Sequence, residues 1–193
     1  MSHSVPISHI LETEKYILRA PQKVDIPFVF SASKYPGFTD GMLWEPPESI
    51  NELTLPYQKA LEGWKTGEAF QFTITSKESP DLIGRISIRK TNGEYRWNVG
   101  FWTHPDAQGR GVMTEVLGAV LKFGFELLKA EIIEACYATW NLASETVLRK
   151  NGFVFERFIK EGFLKKGQWI EENLLSINKE QWKKLILEKI TTK

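Results

Sequence analysis

Two hydrophobic periods alternate along this chain, and the switches between them outline its elements. Alternation at period two marks a half-buried strand. It runs through residues 70–76, where Phe72 and Ile74 oppose Gln71, Thr73 and Thr75, and through 82–89 around Ile86 and Ile88. Residues 15–19 read as an earlier strand and 95–103 as a later one, with turn signals at Ser79-Pro80-Asp81 and Asn92-Gly93. Beyond Gly111 the spacing becomes helical: Met113, Val116, Leu117, Val120, Leu121, Leu127 and Leu128 fall near one face. Residues 132–138 are apolar enough for a buried strand. A short helix over 143–150 stops at Asn151-Gly152 in the manner of a left-handed cap. Residues 153–159 and 169–177 read as a final hairpin with a glycine-containing loop, and Asn178 caps a terminal helix through Glu188.

The N-terminal part carries clearer start and stop signals than periodicity. Residues 1–13 are polar and without period, so a loose tail is expected. Asp25 is a suitable N-cap and Pro27 fits a first turn, which predicts a helix over 26–34. A loop over 35–48 holds Pro36, Gly37, Pro46 and Pro47. Ser49-Ile50-Asn51-Glu52 is a capping box that opens a second helix, closed by Gly67, in which Pro56 is expected to cause a break or kink. The whole is α+β, helices and strands around one sheet, without repeats. Its 193 residues suit a single domain over 1–193 with a real core.

Composition narrows the function by exclusion. A net charge of +1 gives no pull toward nucleic acid or membrane surfaces. No apolar run reaches the length of a membrane span and no segment has the order of a signal peptide, so a cytoplasmic location is the default expectation. The single cysteine, Cys136, excludes an internal disulfide and, lying in an apolar strand, reads as inert core. His104 at a turn reads as structural, and no spacing of His, Cys and carboxylate suggests a metal site.

The chemistry concentrates between Asn98 and Phe125. A strand ends at His104-Pro105-Asp106, a glycine turn Gln108-Gly109-Arg110-Gly111 follows, and a helix begins. That order gathers free backbone N–H groups, the positive end of a helix dipole and an arginine at one point, a place for a phosphate or pyrophosphate. A Walker loop is absent, and Thr114 occupies the third glycine position of a dinucleotide fingerprint, where close helix–sheet packing wants no side chain. What remains resembles the motif Q/R-x-x-G-x-G/A of the GNAT superfamily of acetyl-CoA-dependent N-acetyltransferases: Gln108 and Gly111 match, and Met113 stands where a small residue is usual. Leu18-Arg19 with Asp25 resembles the opening of the RimJ/RimL-like branch. Asn141, Ser144, Val147, Lys150, Gly152 and Phe153 resemble its N-x-x-S-x-x-V/L-x-x-K-x-G-F run.

The resemblance implies a mixed, mostly antiparallel sheet flanked by helices, in which the strands over 95–103 and 132–138 splay apart. The pantetheine arm of acetyl-CoA would enter the gap by strand addition. It places Trp102, Thr103, Gln108, Gly109, Arg110, Gly111, Val112, Met113, Thr114, Asn141 and Ser144 on the cofactor. Ser144, or its rival Tyr137, would protonate the departing thiolate. A carboxylate such as Glu156, or a water chain, would take the proton of the amine, with Glu161, Glu45 and Glu94 as others near the site. Trp44 and Glu45 fall on the acceptor-side loop. The implied reaction is direct acetyl transfer to a primary amine. In that branch the amine is a protein N-terminus, ribosomal proteins included, and the alternatives are a small amine or antibiotic, or a CoA-binding module without catalysis. A monomer and a homodimer are both compatible with the sequence.

Overall fold

The computed structural model describes residues 5–191. Its strands are β1 (Leu11–Glu12), β2 (Tyr16–Arg19), β3 (Ala69–Ser76), β4 (Leu82–Lys90), β5 (Arg96–Thr103), β6 (Ile132–Ala138), β7 (Val154–Lys165) and β8 (Gln168–Asn178). Its helices are α1 (Ile26–Ser33), α2 (Thr54–Thr66), α3 (Val112–Lys122), α4 (Leu142–Lys150) and α5 (Lys179–Thr191). The strands form one sheet in the order β1-β2-β3-β4-β5-β6-β8-β7. Every neighbouring pair is antiparallel except β5 and β6, which run parallel. The architecture is the α+β one expected from the pattern.

One face of the sheet carries the main core. Phe70, Phe72, Ile74, Ile86, Ile88, Trp97 and Val99 alternate onto it and meet Val116, Leu117, Val120 and Leu121 of α3. The helix does not hold its register to the end. Residues Phe123–Leu127 form a π turn, closed by Leu128 N–H donating to Phe123 O at 3.1 Å. The extra residue turns Leu127 out to solvent, against the sequence expectation, while Phe123 and Phe125 go inward. Gly124 sits at the closest approach: a Cβ there would lie 2.6 Å from Ile133 Cδ1 and 2.8 Å from Ile88 Cδ1.

The other face is polar by pattern, yet Thr73 and Thr75 are buried on it. At Thr73 the reason is Asp25. Its carboxylate does not cap α1; it takes both Arg19 nitrogens at 2.7 and 3.0 Å, the Gln22 N–H at 2.8 Å and the Thr73 hydroxyl at 2.8 Å. Burial pushes this carboxyl up, but the Arg19 bonds, the Gln22 N–H and Thr73 prevail and hold it below the usual carboxylate range. Arg85 lies within the field of the same pair, 8% exposed, and burial lowers it to about 10. Its Nε has no hydrogen-bond partner.

Three further expectations change. Within the segment expected to be loose, Leu11–Glu12 pairs with β2 and Val5 is buried; Met1 to Ser4 lie outside the described residues. Helix α2 runs through Pro56 because the proline is its third residue, where the N–H has no acceptor within the helix. The last hairpin extends to Lys165, and its turn is Lys166-Gly167 at φ 48° and 79°, the two left-handed residues of a tight hairpin turn.

Asp25→Asn removes the anion and leaves buried Arg85 and half-buried Arg19 without it. Breaking a buried pair in this way costs about 3–5 kcal/mol, read as a lower urea midpoint. Because the folded carboxyl is depressed, its contribution is complete above the unfolded carboxylate range and fades as pH falls through the folded value. A loss below about 1 kcal/mol would contradict a buried role.

Candidate active site

Strands β5 and β6 share only three paired positions, Arg96 with Ile132, Trp97 with Ile133 and Asn98 with Glu134. Beyond them β5 stays with β4 as far as Thr103, and β6 stays with β8 as far as Ala138. The two strands therefore part into a wedge. Among the described residues no strand lies beside the inner edge of β5 from Val99 to Thr103, and exposed backbone groups on such an edge seek a partner.

At the open end β5 runs into the glycine turn. His104 fixes the turn: its Nδ1 accepts the Asp106 N–H at 3.3 Å and its Nε2 lies 3.0 Å from Ser31 Oγ of α1. Gly109 and Gly111 both have φ 75°, a conformation that L side chains rarely adopt, and a Cβ on either would meet open space. Conformation, rather than crowding, is what demands glycine there. The first intrahelical bond of α3 is Glu115 N–H to Gly111 O at 3.2 Å. The N–H groups of Val112, Met113 and Thr114 thus have no acceptor within the helix, and no side chain caps them. Arg110 is exposed and donates to Asp106 O at 2.9 Å, and Gln108 Nε2 reaches Thr103 O at 3.4 Å.

Across the wedge, β6 ends beside the start of α4. Asn141 is the N-cap, its Oδ1 accepting the Ser144 N–H at 3.1 Å. Tyr137, nearly fully buried, accepts from Asn173 Nδ2 at 3.2 Å. Burial pushes its phenol up, Asn173 pulls the other way, and the hydrogen-bonded Glu145 carboxylate adds to the rise. Glu145 is itself held by Arg149 at 2.6 Å. The fold thus brings Tyr137, Asn141 and Ser144 together. Asn151, which the sequence reading used only as a helix stop, locks this group to the glycine turn: its Nδ2 donates to Thr114 O at 3.1 Å and to Val147 O at 3.0 Å.

Glu156 does not join them. It pairs with Arg96 at 3.3 Å, and Arg96 also holds Glu134, so all three sit at the closed end where β5 and β6 still pair. Cys136 is not core. It is exposed on the sheet face opposite Tyr137; the flanking strands desolvate its thiolate, Glu172 and Glu134 face it, and the thiol is pushed up to about 12.

The loop before α2 straps this open face. Phe38 meets Trp102 edge-on at 5.3 Å and Trp44 at 6.1 Å. Gly41 abuts Trp140 and the Asn141 amide. Lys165, 5% exposed, donates to Met42 O at 3.1 Å and Trp44 O at 2.7 Å and pairs with Glu45 at 3.1 Å. Glu45 is therefore engaged within the protein, while Trp44 is half-buried beside the wedge mouth. Among the described residues no group of His, Cys, Asp and Glu is arranged to hold a metal ion, and no helix is long and apolar enough to cross a membrane.

Residues 15–154 match the model of the acetyltransferase (GNAT) domain family. The chain is 30% identical over 118 residues to the uncharacterized N-acetyltransferase YnaD of Bacillus subtilis, covering 61% of this chain and 69% of that protein. It is 27% identical over 120 residues to the ribosomal protein uS5-alanine N-acetyltransferase of Escherichia coli, covering 61% and 62% of the two chains. Its fold is similar to that of RimL, the ribosomal L7/L12 alpha-N-protein acetyltransferase, solved with coenzyme A: TM-score 0.80, 19% identity, 88% of this chain and 98% of that one.

Lys165→Met leaves the Met42 and Trp44 carbonyls without their donor. Amide hydrogen exchange in residues 38–47 is expected to speed up while α3 is unchanged. Unaltered exchange in the loop would show that Lys165 does not hold it.

Proposed function

The chain belongs to the acetyltransferase (GNAT) domain family, and on that premise we propose that it transfers the acetyl group of acetyl-CoA directly to a primary amine, the N-terminal amine of a protein. The observation that carries the reading is the wedge between β5 and β6, opening beside a helix N-terminus with free N–H groups. Acetyl-CoA fits it by parts. The pyrophosphate suits the turn from Gln108 to Thr114, where two glycines leave the backbone bare and Arg110 stands at the rim. The pantetheine amides suit the unpaired edge of β5 around Trp102 and Thr103, and Asn141 lies on the opposite bank.

The protein's own residues then do little covalent work. A thioester is already activated, so catalysis is placement, removal of the ammonium proton and protonation of the thiolate. Ser144 is the proton donor in this reading, with Tyr137 beside it. Burial and Glu145 keep the Tyr137 phenol protonated. Trp44 forms a wall of the acceptor pocket. Preference for a protein amine rests on the relative named for acetylating an alanine of ribosomal protein uS5.

Acetyl-CoA at a hundredfold its Kd is expected to stabilise the chain by about 2.7 kcal/mol, raising Tm by roughly 5–10 °C. Gly111→Val, which strains the φ 75° turn, is expected to abolish most of that shift. Mass spectrometry of an alanine-initiated peptide incubated with both should show one acetyl group on the α-amine. A shift with ATP or NAD instead of either CoA species would overturn the assignment.

A further inference from the structure

Of the carboxylates suggested by the sequence, Glu156 is tied to Arg96 at the closed end and Glu45 to Lys165. The register of β8 supplies another carboxylate. Antiparallel partners share a face of the sheet. Tyr137 pairs with Asn173, and the next position pairs Ala138 with Glu172. Adjacent positions alternate, so Tyr137 points to the face covered by α3 and α4 and Glu172 to the opposite one, which carries α1 over β4 and β5 and the loop over 38–47. Cys136 and Ala138 share that opposite face with Glu172. We propose that Glu172 is the catalytic base, taking the proton of the acceptor ammonium on the face of the wedge opposite Tyr137 and Ser144.

Three observations support the placement. Glu172 stands opposite the last residue of β6, at the open end of the wedge rather than the closed one. The strand β7 makes room for it: the register slips between Ile159 and Phe163, and Gly162 in that slip has no Cβ, which would otherwise come 2.6 Å from Glu172 Cγ. A side chain at residue 162 would expel the carboxylate. Among the described residues Glu172 has no ion-pair partner, unlike Glu45, Glu134, Glu145 and Glu156. Burial accordingly raises its pKa above the ordinary carboxylate value, toward that of a useful base. Charged and titratable groups on this side include Cys136 and Glu134 of β6, Arg157 and Lys165 of β7, Arg89 of β4 and, paired to Lys165, Glu45 of the loop.

The step balances. The ammonium gives one proton to Glu172, and the neutral nitrogen attacks the thioester carbon. The C–N bond forms and the C–S bond breaks, its electron pair leaving on sulfur. The thiolate takes a proton from Ser144, which recovers one from the nitrogen of the new amide. Glu172 returns its proton to solvent. Acid and base thus approach from opposite faces of the sheet, Ser144 from α4 and Glu172 from β8, the strand beyond β6.

The inference rests on the proposed acetyl transfer, and the test separates the two. Wild type, Glu172→Gln, Glu172→Asp and Gly162→Ala are assayed with acetyl-CoA and, as acceptors, an alanine-initiated peptide and spermidine. Expected is a fall of about 100-fold or more in kcat for Glu172→Gln, with the acetyl-CoA thermal shift intact and the acidic limb of the pH–rate profile gone. Glu172→Asp recovers part of the rate, and Gly162→Ala lowers kcat without changing the KM for acetyl-CoA. A Glu172→Gln rate within twofold of wild type, or an unchanged acidic limb, would overturn Glu172 alone. No transfer by the wild type to either acceptor would overturn the proposed reaction and this inference with it.

Discussion

A strand that loses its neighbour leaves backbone groups unpaired, and this protein arranges for that to happen at one place. β5 and β6 pair for three positions and then part. Everything near the candidate site follows from that divergence. The same β5 that loses β6 is held straight by β4 to Thr103, so its free edge is kept extended and cannot collapse onto another strand. An extended edge with no strand beside it is a template for an extended ligand.

What keeps the wedge open is packing on the helix face and hydrogen bonding at its mouth. Gly124 lets the chain after α3 press against Ile133 and Ile88 where the strands still touch. Asn151 ties α4 to the first turn of α3, which joins the two banks. His104 and Ser31 tie the glycine turn to α1, and the Asp25–Arg19 pair anchors the chain just before that helix to β2 and β3. On the open face Lys165 straps the loop of Trp44 to the end of β7. The polar interactions here fix positions; the apolar core of Phe70, Phe72, Val116 and Leu117 carries the stability.

Local signals made the fold legible. The glycine turn, the Asn178 cap and the capping box at Ser49 depend on residues three or four apart, and each stands where the sequence puts it. Misreadings arose where a distant partner decided. Asp25 has the right position for an N-cap, but Arg19 and Thr73 compete for its oxygens more strongly than a helix N–H does. Leu127 satisfies helical spacing, but an inserted π turn moves it by one position. Most residues proposed for the cofactor fall in one run, 102–114, with Asn141 and Ser144 in a second short motif, and could be nominated from the sequence. Glu156 and Glu172 are both glutamates in strands, and only pairing register separates the one beside Arg96 from the one beside Ala138. No periodicity carries that information, because it depends on which strand lies next to which.

The central claim is that the free edge of β5 is a ligand slot. Amide hydrogen exchange with and without coenzyme A tests it most directly. The account predicts that residues 99–103 and 109–114 slow together when coenzyme A is added, while β2 and β3 do not change. Protection confined to the glycine turn, with 99–103 exchanging as before, would contradict it.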